Sequence, residues 1–231
     1  MTTIASNLQA VRKTIAAAAV NAGRNANDVN LLAVSKTFAP DLLREAYQAG
    51  QACFAESYVQ EALNKIAALQ DLPIEWHYIG PIQSNKTRAI AENFAWVHSV
   101  DRLKIAERLS EQRPAHLPPL QICLQVNISM EASKSGVPLD EVSALAHAIA
   151  KLPNLRLRGL MAVPAPVDDV VAQRLPFAQL RKLLDQLNQQ GLQLDTLSMG
   201  MSHDFVAAIT EGATIVRIGT AIFGDRIYQN G

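Results

Sequence analysis

Short polar motifs that follow apolar, strand-like runs hold the residue types in this sequence that are best suited to chemistry. Lys36 directly follows the run Leu31–Ser35. A lysine at such a position is often a charge at a solvated strand end. An amine removed from water has a lowered pKa, however, and attacks aldehydes more readily. The residues alone therefore leave two interpretations of Lys36 open, a surface charge or a nucleophile that forms a Schiff base.

Two further motifs, GMS at 200–202 and RIGT at 217–220, have the composition of a phosphate site. Glycine lets the backbone approach an anion closely, and the hydroxyls of Ser202 and Thr220 can donate to its oxygens. Helices that begin after these motifs would add backbone N–H donors. Each motif could also be an ordinary strand-to-helix turn. Arg217 could equally form a salt bridge at the rim of the fold or face a ligand.

These motifs are set in a regular alternation of apolar runs and amphipathic stretches. The chain has 231 residues, of which 49% are hydrophobic, and can build one large core. Alternating strands and helices indicate a parallel sheet of the α/β class, and eight such units in about 200 residues predict a closed (β/α)8 TIM barrel. We expect one domain over residues 1–231, with an extra N-terminal helix over Ile4–Ala22. The predicted strands are Leu31–Ser35, Ala52–Glu56, Trp76–Gly80, Ala95–Val100, Ile122–Ile128, Leu157–Val163, Thr196–Gly200 and Thr214–Ile218. The predicted helices are Asp41–Ala49, Tyr58–Leu69, Asn85–Asn93, Arg102–Gln112, Leu139–Leu152, Pro176–Gln190 and Phe205–Glu211.

The barrel geometry predicts where the polar motifs meet. The site of such a barrel lies at the C-terminal ends of its strands, and the loops after strands 7 and 8 often hold phosphate. Lys36 follows the first predicted strand. GMS begins at the end of the seventh predicted strand, and RIGT contains the end of the eighth. The fold therefore predicts an amine and two phosphate-type loops around one barrel mouth.

Composition and charge exclude several classes of function. Lys plus Arg and Asp plus Glu number 21 each, so there is no electrostatic footprint for nucleic acid or an anionic membrane. The sequence shows no secretory signal and no run that could cross a bilayer, so we expect a soluble cytoplasmic protein. Cys53 and Cys123 lie in apolar runs and are expected to be buried, reduced thiols. The histidines lack metal-ligand spacing, so we expect no metal. No exposed apolar stripe is evident, which favours a monomer.

Seven motifs in order resemble the pyridoxal phosphate homeostasis proteins, and the resemblance covers nearly the whole chain. The motifs are LLAVSK at 31–36, ESYVQE at 56–61, WHYIGPIQSNK at 76–86, NISMEASKSG at 127–136, RGLMAVPAP at 158–166, SMGMSHD at 198–204 and TIVRIGTAIFG at 214–224. The resemblance implies a barrel similar to the N-terminal domain of alanine racemases, with pyridoxal 5′-phosphate as a Schiff base on Lys36. It further implies that Ser202, Gly219 and Thr220 hold the phosphate. Arg217 matches the arginine that is placed toward the pyridine nitrogen.

One motif departs from the family pattern. The family usually reads FGENYVQE, whereas this chain reads FAESYVQE at 54–61. Ser57 therefore replaces an asparagine that normally lies beside the cofactor. Serine is shorter and offers one hydroxyl in place of an amide. Ser57 stays a candidate cofactor-binding residue whose contact could be lost or taken over by water.

The resemblance predicts a carrier rather than an enzyme. Family members have no established turnover and act in vitamin B6 homeostasis and amino-acid metabolism, with apo-enzymes that use pyridoxal phosphate as candidate recipients. The alternative is a pyridoxal phosphate-dependent amino-acid racemase. Such racemases add a C-terminal β domain, and this chain ends soon after the eighth predicted strand, which favours the carrier. A third hypothesis is a barrel enzyme of other chemistry that uses no pyridoxal phosphate.

Overall fold

Eight parallel strands pair in chain order, and β8 pairs with β1 to close the sheet. The predicted (β/α)8 barrel is therefore confirmed. The structure is a computed structural model that describes residues 3–129 and 135–225. Residues 130–134, in the middle of the motif at 127–136, lie outside the described residues. The strands are β1 Asn30–Val34, β2 Cys53–Glu56, β3 Glu75–Tyr78, β4 Trp96–Val100, β5 Leu120–Gln125, β6 Leu155–Met161, β7 Thr196–Ser198 and β8 Ile215–Ile218.

Helices alternate with the strands and cover the outer face of the barrel. Among the residues that the structure describes, no helix has the length and apolar character needed to cross a membrane. Two short 3-10 turns, Ala26–Asp28 and Ser84–Lys86, precede β1 and α4. The helices are α1 Ile4–Asn21, α2 Pro40–Gln48, α3 Val59–Ala68, α4 Thr87–Asn93, α5 Leu103–Gln112, α6 Val142–Ile149, α7 Val170–Gln189, α8 Phe205–Thr210 and α9 Thr220–Phe223.

The helix α7 begins earlier than the sequence pattern predicts. Pro176, the predicted start, lies inside the helix. The carboxylate of Asp169 accepts a hydrogen bond from the backbone N–H of Ala172 at 2.7 Å and so caps the earlier start. The added turns expose the side chains of Val171 and Leu175 by 70% and 65%, one turn apart on the same face. The sequence pattern did not predict these two exposed apolar side chains, and the expected monomer stays a prediction.

The apolar core is divided by the sheet. The main cluster lies between the strands and the surrounding helices, as expected for a barrel whose strands are covered on both faces. Inside the barrel, alternate strand residues form two small apolar clusters. One contains Leu32, Val34, Ala55 and Ile215, and the other contains Trp96, Cys123 and Met161. Buried polar side chains, described below, occupy other inward positions of the barrel.

The extra helix α1 reaches the end of β8. It buries Ile4, Leu8 and Val11 at the predicted helical spacing and packs against α8 and α9. The side-chain amide of Asn7 donates to the carbonyl oxygen of Ile222 at 2.9 Å. A carbonyl oxygen in the last turn of a helix accepts no hydrogen bond from within that helix. Here Asn7 of α1 supplies the missing donor. The N-terminal helix therefore holds α9, the helix that begins at a predicted phosphate residue.

Candidate functional site

A cavity of about 220 Å³ lies at the C-terminal ends of β1, β7 and β8. It brings together five of the six predicted site residues, which are Lys36, Ser202, Arg217, Gly219 and Thr220. Four residues that sequence reasoning did not select complete its wall, namely Val34, Ile79, Met201 and His203. A larger hollow of about 770 Å³ lies between α2, α3 and α9, but none of the predicted site residues is among the described residues that line it. The mouth cavity is therefore the candidate site.

A buried ionic network holds the backbone on both sides of Lys36. The ammonium group of Lys65 donates to the carbonyl oxygen of Ser35 at 2.7 Å, and the Ser35 hydroxyl donates to Glu56 at 2.6 Å. The backbone N–H of Thr37 donates to the carboxylate of Glu61 at 2.6 Å. Thr37 has a φ of 72°, a left-handed conformation that a β-branched residue rarely adopts. The network therefore fixes the direction in which Lys36 leaves its strand.

The network is a compact cluster of one cation and two carboxylates. Lys65 lies 2.7 Å from Glu56 and 2.6 Å from Glu61, and Lys65 and Glu56 are almost completely buried. Burial raises the pKa of the Glu56 carboxyl, while Lys65 and the Ser35 hydroxyl act in the opposite direction. The second oxygen of Glu56 is buried and makes no hydrogen bond to the protein atoms that the structure describes. Lys65 is therefore the main group that compensates the buried carboxylate.

Two residues with hydroxyl side chains, Ser202 and Thr220, also line the cavity. Ser202 lies in the loop after β7, where the N–H of Met201 donates to Asp204 at 2.6 Å. Thr220 is the first residue of α9, and the first N–H groups of a helix have no partner within it. Gly219 lies against β1, because a Cβ atom at this position would be only 3.1 Å from the carbonyl oxygen of Val34. The small residue therefore lets the end of β8 approach the strand that leads to Lys36.

Arg217 is buried and faces the cavity from inside the barrel. Its guanidinium donates to the carbonyl oxygen of Ser198 at 2.5 Å, to the Ser198 hydroxyl at 2.9 Å and to the carbonyl oxygen of Ala162 at 2.8 Å. Burial lowers the pKa of Arg217 to about 10, so the side chain stays charged at neutral pH. Within residues 3–129 and 135–225 Arg217 makes no ion pair. The structure therefore does not contain the rim salt bridge that the sequence left open.

The serine that accepts from Arg217 has a second partner that sequence reasoning missed. The Ser198 hydroxyl lies 2.7 Å from Nδ1 of His98, a completely buried residue on β4. Burial lowers the pKa of His98 well below its usual value, and the nearby His77 and Arg217 act in the same direction. His98 is therefore a neutral imidazole at neutral pH. The sequence does place His98 on a predicted strand. The pattern of a single strand, however, does not show which side chains of other strands it contacts inside the barrel.

Ser57 is placed differently from the other predicted site residues. It follows β2, and its backbone carbonyl accepts a hydrogen bond from the hydroxyl of Tyr78 at 3.2 Å. Gly80 packs so closely that a Cβ atom there would be 2.1 Å from the Ser57 carbonyl oxygen. Ser57 is not among the described residues that line the mouth cavity. A direct role of Ser57 in binding stays a prediction.

Three side chains that could in principle bind a metal ion gather at the N-terminal ends of the strands. Cys53, Glu75 and His77 place one ligand atom each within 4.8 Å of one another, the one such group among the described residues. Burial raises the pKa of Cys53 to about 11, so its thiol is protonated at neutral pH. Cys123 is buried as predicted, whereas Cys53 is partly exposed. Hydrogen bonds among the three side chains account for their arrangement, and we assign no metal to them.

Comparison with known proteins decides the family. The chain is 63% identical over 228 residues to the pyridoxal phosphate homeostasis protein of Pseudomonas aeruginosa, covering 99% of this chain and 98% of that protein. The chain belongs to the pyridoxal phosphate homeostasis protein family. The family model for the alanine racemase N-terminal domain matches residues 4–227, so the resemblance inferred from the seven motifs is confirmed.

Solved structures place this chain in the same fold group. The structure of PipY from Synechococcus elongatus with pyridoxal phosphate bound has a TM-score of 0.84 and 38% identity, covering 96% of this chain and all of that chain. An alanine racemase from Corynebacterium glutamicum has a TM-score of 0.68 and 17% identity, covering 95% of this chain and 61% of that chain. The second likeness concerns the barrel fold alone.

Proposed function

We propose that this protein binds pyridoxal 5′-phosphate in the mouth cavity as a Schiff base on Lys36 and acts as a cofactor carrier in pyridoxal phosphate homeostasis. One observation carries the proposal. The amine of Lys36 shares a single cavity with two hydroxyl donors and a buried guanidinium. The family name and the pyridoxal phosphate bound to PipY support the same ligand.

The groups around the cavity match the functional groups of the ligand. The ligand has an aldehyde that an amine can attack, a phosphate that accepts hydrogen bonds, and a pyridine nitrogen. Ser202, Thr220 and the backbone near Gly219 would hold the phosphate. Arg217 would face the pyridine nitrogen, and a guanidinium can only donate hydrogen bonds. The nitrogen would therefore stay unprotonated, and the ring would withdraw electrons less strongly than one paired with a carboxylate.

The exposure of the cavity favours a carrier over an enzyme. His203 and Thr220 are exposed, and Lys36 is only partly buried. Reactions that remove a proton from an amino acid need a site closed to water, whereas an open site suits entry and exit of the whole ligand. Tyr78 is a poor base because burial raises its pKa to about 12, so its hydroxyl keeps its proton, which points to the carbonyl oxygens of Ser57 and Pro81.

One observation keeps the racemase alternative open to test. Racemisation needs a base on each face of the substrate, and Lys36 would be the base on one face. His203 lies in the wall of the same cavity and could serve on the other face. The carrier proposal therefore predicts that the two residues do not act as a pair.

The binding proposal is tested by titrating the protein with pyridoxal phosphate and recording absorbance. The wild type should develop the band of a Schiff base, and Lys36→Ala should not. Lys86→Ala is the matched control, because Lys86 is an exposed lysine outside the cavity. A band that survives in Lys36→Ala would overturn the assignment. No band in any variant would favour the third hypothesis, a barrel enzyme without this cofactor.

The absence of turnover is tested with the loaded protein in D2O. A panel of L-amino acids is incubated with the wild type, Lys36→Ala and His203→Gln, and deuterium at the α carbon and chirality are followed. The carrier predicts exchange no faster than free pyridoxal phosphate gives. Exchange of about one per second or faster that is lost in both variants would reject the carrier and favour the racemase.

We further propose that the carrier is a monomer and that apo-enzymes in the cytoplasm receive the cofactor from it. Assays that follow transfer of the cofactor to an apo-enzyme would test this.

A further inference from the structure

A chain of hydrogen bonds crosses the barrel interior from Arg217 to the N-terminal rim. Beyond the Arg217–Ser198–His98 contacts, Nε2 of His98 lies 2.9 Å from Nδ1 of His77, and Nε2 of His77 lies 2.9 Å from Glu75. Barrel interiors are usually filled by branched aliphatic side chains, and buried polar groups are costly unless each has a partner. Each polar side chain in this row of hydrogen bonds has a partner, which offsets the cost of burial.

The two ends of the chain fix the direction of every hydrogen bond in it. Hydrogen bonding to His77 lowers the pKa of Glu75, so at neutral pH Glu75 is a carboxylate that only accepts. Burial lowers the pKa of His77, so its ring is neutral. His77 must then carry its proton on Nε2 and accept at Nδ1. The same argument places the proton of His98 on Nε2.

The order of donors then reaches the candidate site. Nδ1 of His98 is left as an acceptor, so the single hydroxyl proton of Ser198 points to it. The Ser198 oxygen is thereby free to accept from Arg217, which cannot accept a hydrogen bond itself. All donors point from Arg217 toward Glu75. Hydrogen bonds aligned in one direction polarise one another and strengthen each acceptor along the chain.

We propose that Ser198, His98, His77 and Glu75 are positioning residues that hold the Arg217 guanidinium in place and set its interaction with the bound ligand. The hydrogen bonds link the half-exposed carboxylate of Glu75 to Ser198, whose hydroxyl oxygen accepts from Arg217. This inference rests on the proposed function, because Arg217 is assigned to the ligand ring there. It adds residues that lie outside the mouth cavity.

The direction of the chain is tested first without any ligand. Nitrogen-15 NMR of the histidine rings distinguishes the two neutral tautomers and the charged form. We expect both His77 and His98 to be neutral with the proton on Nε2 at neutral pH. A proton on Nδ1 of either ring, or a charged ring, would overturn the proposal. This result does not depend on whether pyridoxal phosphate binds.

The effect on the ligand is tested with Ser198→Ala, His98→Gln and Glu75→Gln after circular dichroism confirms the fold. Each should shift the absorbance maximum of bound pyridoxal phosphate and weaken binding roughly twofold or more, the lower end of the range for groups coupled in one network. Glu75→Gln is the mildest change, because Glu75 is half-exposed and the amide oxygen can still accept from His77. The matched control is His147→Gln, whose ring lies within hydrogen-bonding distance of the backbone carbonyls of Ser143 and Gln190 and of no side chain among the described residues.

The outcomes separate this inference from the proposed function. Unchanged spectra and affinities in all three chain variants, with Arg217→Lys altering both, would reject the chain and leave the binding site intact. A wild type that forms no Schiff base on Lys36 would reject the proposed function, while the tautomers would still report on the chain. Shifts as large in His147→Gln as in the chain variants would also count against the positioning role.

Discussion

Replacing Lys65 with methionine removes the one cation from the buried network beneath Lys36. The substitution keeps much of the aliphatic stem and deletes the ammonium group. Three hydrogen bonds are lost, to Ser35, Glu56 and Glu61. Methionine is flexible enough to fill the remaining space, so the change tests the charge rather than the packing.

The expected cost follows from the burial of the two carboxylates. The side chain of Glu61 is 29% exposed, so water can compensate its charge, whereas that of Glu56 is 0% exposed. The variant therefore leaves one uncompensated buried carboxylate. Breaking a buried ion pair in this way typically costs about 3–5 kcal/mol of the free energy of unfolding. We expect a loss in that range at neutral pH.

Urea denaturation followed by circular dichroism measures this loss. The control is Lys182→Met, which removes an exposed lysine from α7 and should change the free energy of unfolding by less than about 0.5 kcal/mol. A loss below about 1 kcal/mol for Lys65→Met would refute the account of the network as a buried, mutually compensated cluster.

The pH dependence of this loss has a definite sign. In the wild type the pKa of Glu56 is raised by burial, and Lys65 opposes that effect, so removing Lys65 raises the pKa further. A carboxyl whose pKa is raised by folding contributes stability at low pH, which is lost as the pH rises through the folded pKa. The deficit of Lys65→Met relative to the wild type should therefore be smaller near about pH 5 than near about pH 8. An equal deficit at both values would argue that Glu56 is not the group left uncompensated.

Three further predictions concern the cavity. Replacing both Ser202 and Thr220 with alanine should weaken pyridoxal phosphate more than pyridoxal, by about 1.5 kcal/mol or more in comparative titrations, and equal weakening would contradict the phosphate assignment. Arg217→Lys keeps the charge but loses the fork of donors, so it should shift the ligand's absorbance, and an unchanged spectrum would show that Arg217 faces elsewhere. Asn7→Ala should lower the free energy of unfolding by about 1 kcal/mol in urea through its lost bond to Ile222, and no loss would show that α1 does not hold α9.

Local patterns in the sequence were sufficient to predict the barrel and most of its mouth. Strand and helix periodicities are local, and the barrel rule then places the ends of β1, β7 and β8 together. Lys36, Ser202 and Thr220 meet in the structure for this reason. The start of α7 was predicted wrongly because Pro176 resembles a helix start, whereas the cap is formed by Asp169.

Contacts between inward side chains of different strands could not be predicted in the same way. The contact between His77 and His98 depends on how β3 and β4 are aligned, and the strand register shifts between Val97 and Val100 where β4 pairs with β5. Lys65 was also missed as a buried group, because a lysine four residues after Glu61 is typical of an exposed helical pair. Its burial depends on tertiary contacts such as its bond to the carbonyl oxygen of Ser35, which follows β1, and the sequence does not show these contacts.

Reduction with borohydride tests the central claim most directly. The protein is loaded with pyridoxal phosphate and reduced, and its proteolytic peptides are mapped by mass spectrometry. Reduction converts a Schiff base into a stable amine, so the label marks the lysine that held the cofactor. We predict that the label lies on the peptide that contains Lys36 and is absent from Lys36→Ala. A label found mainly on Lys86 or Lys134 would contradict the account.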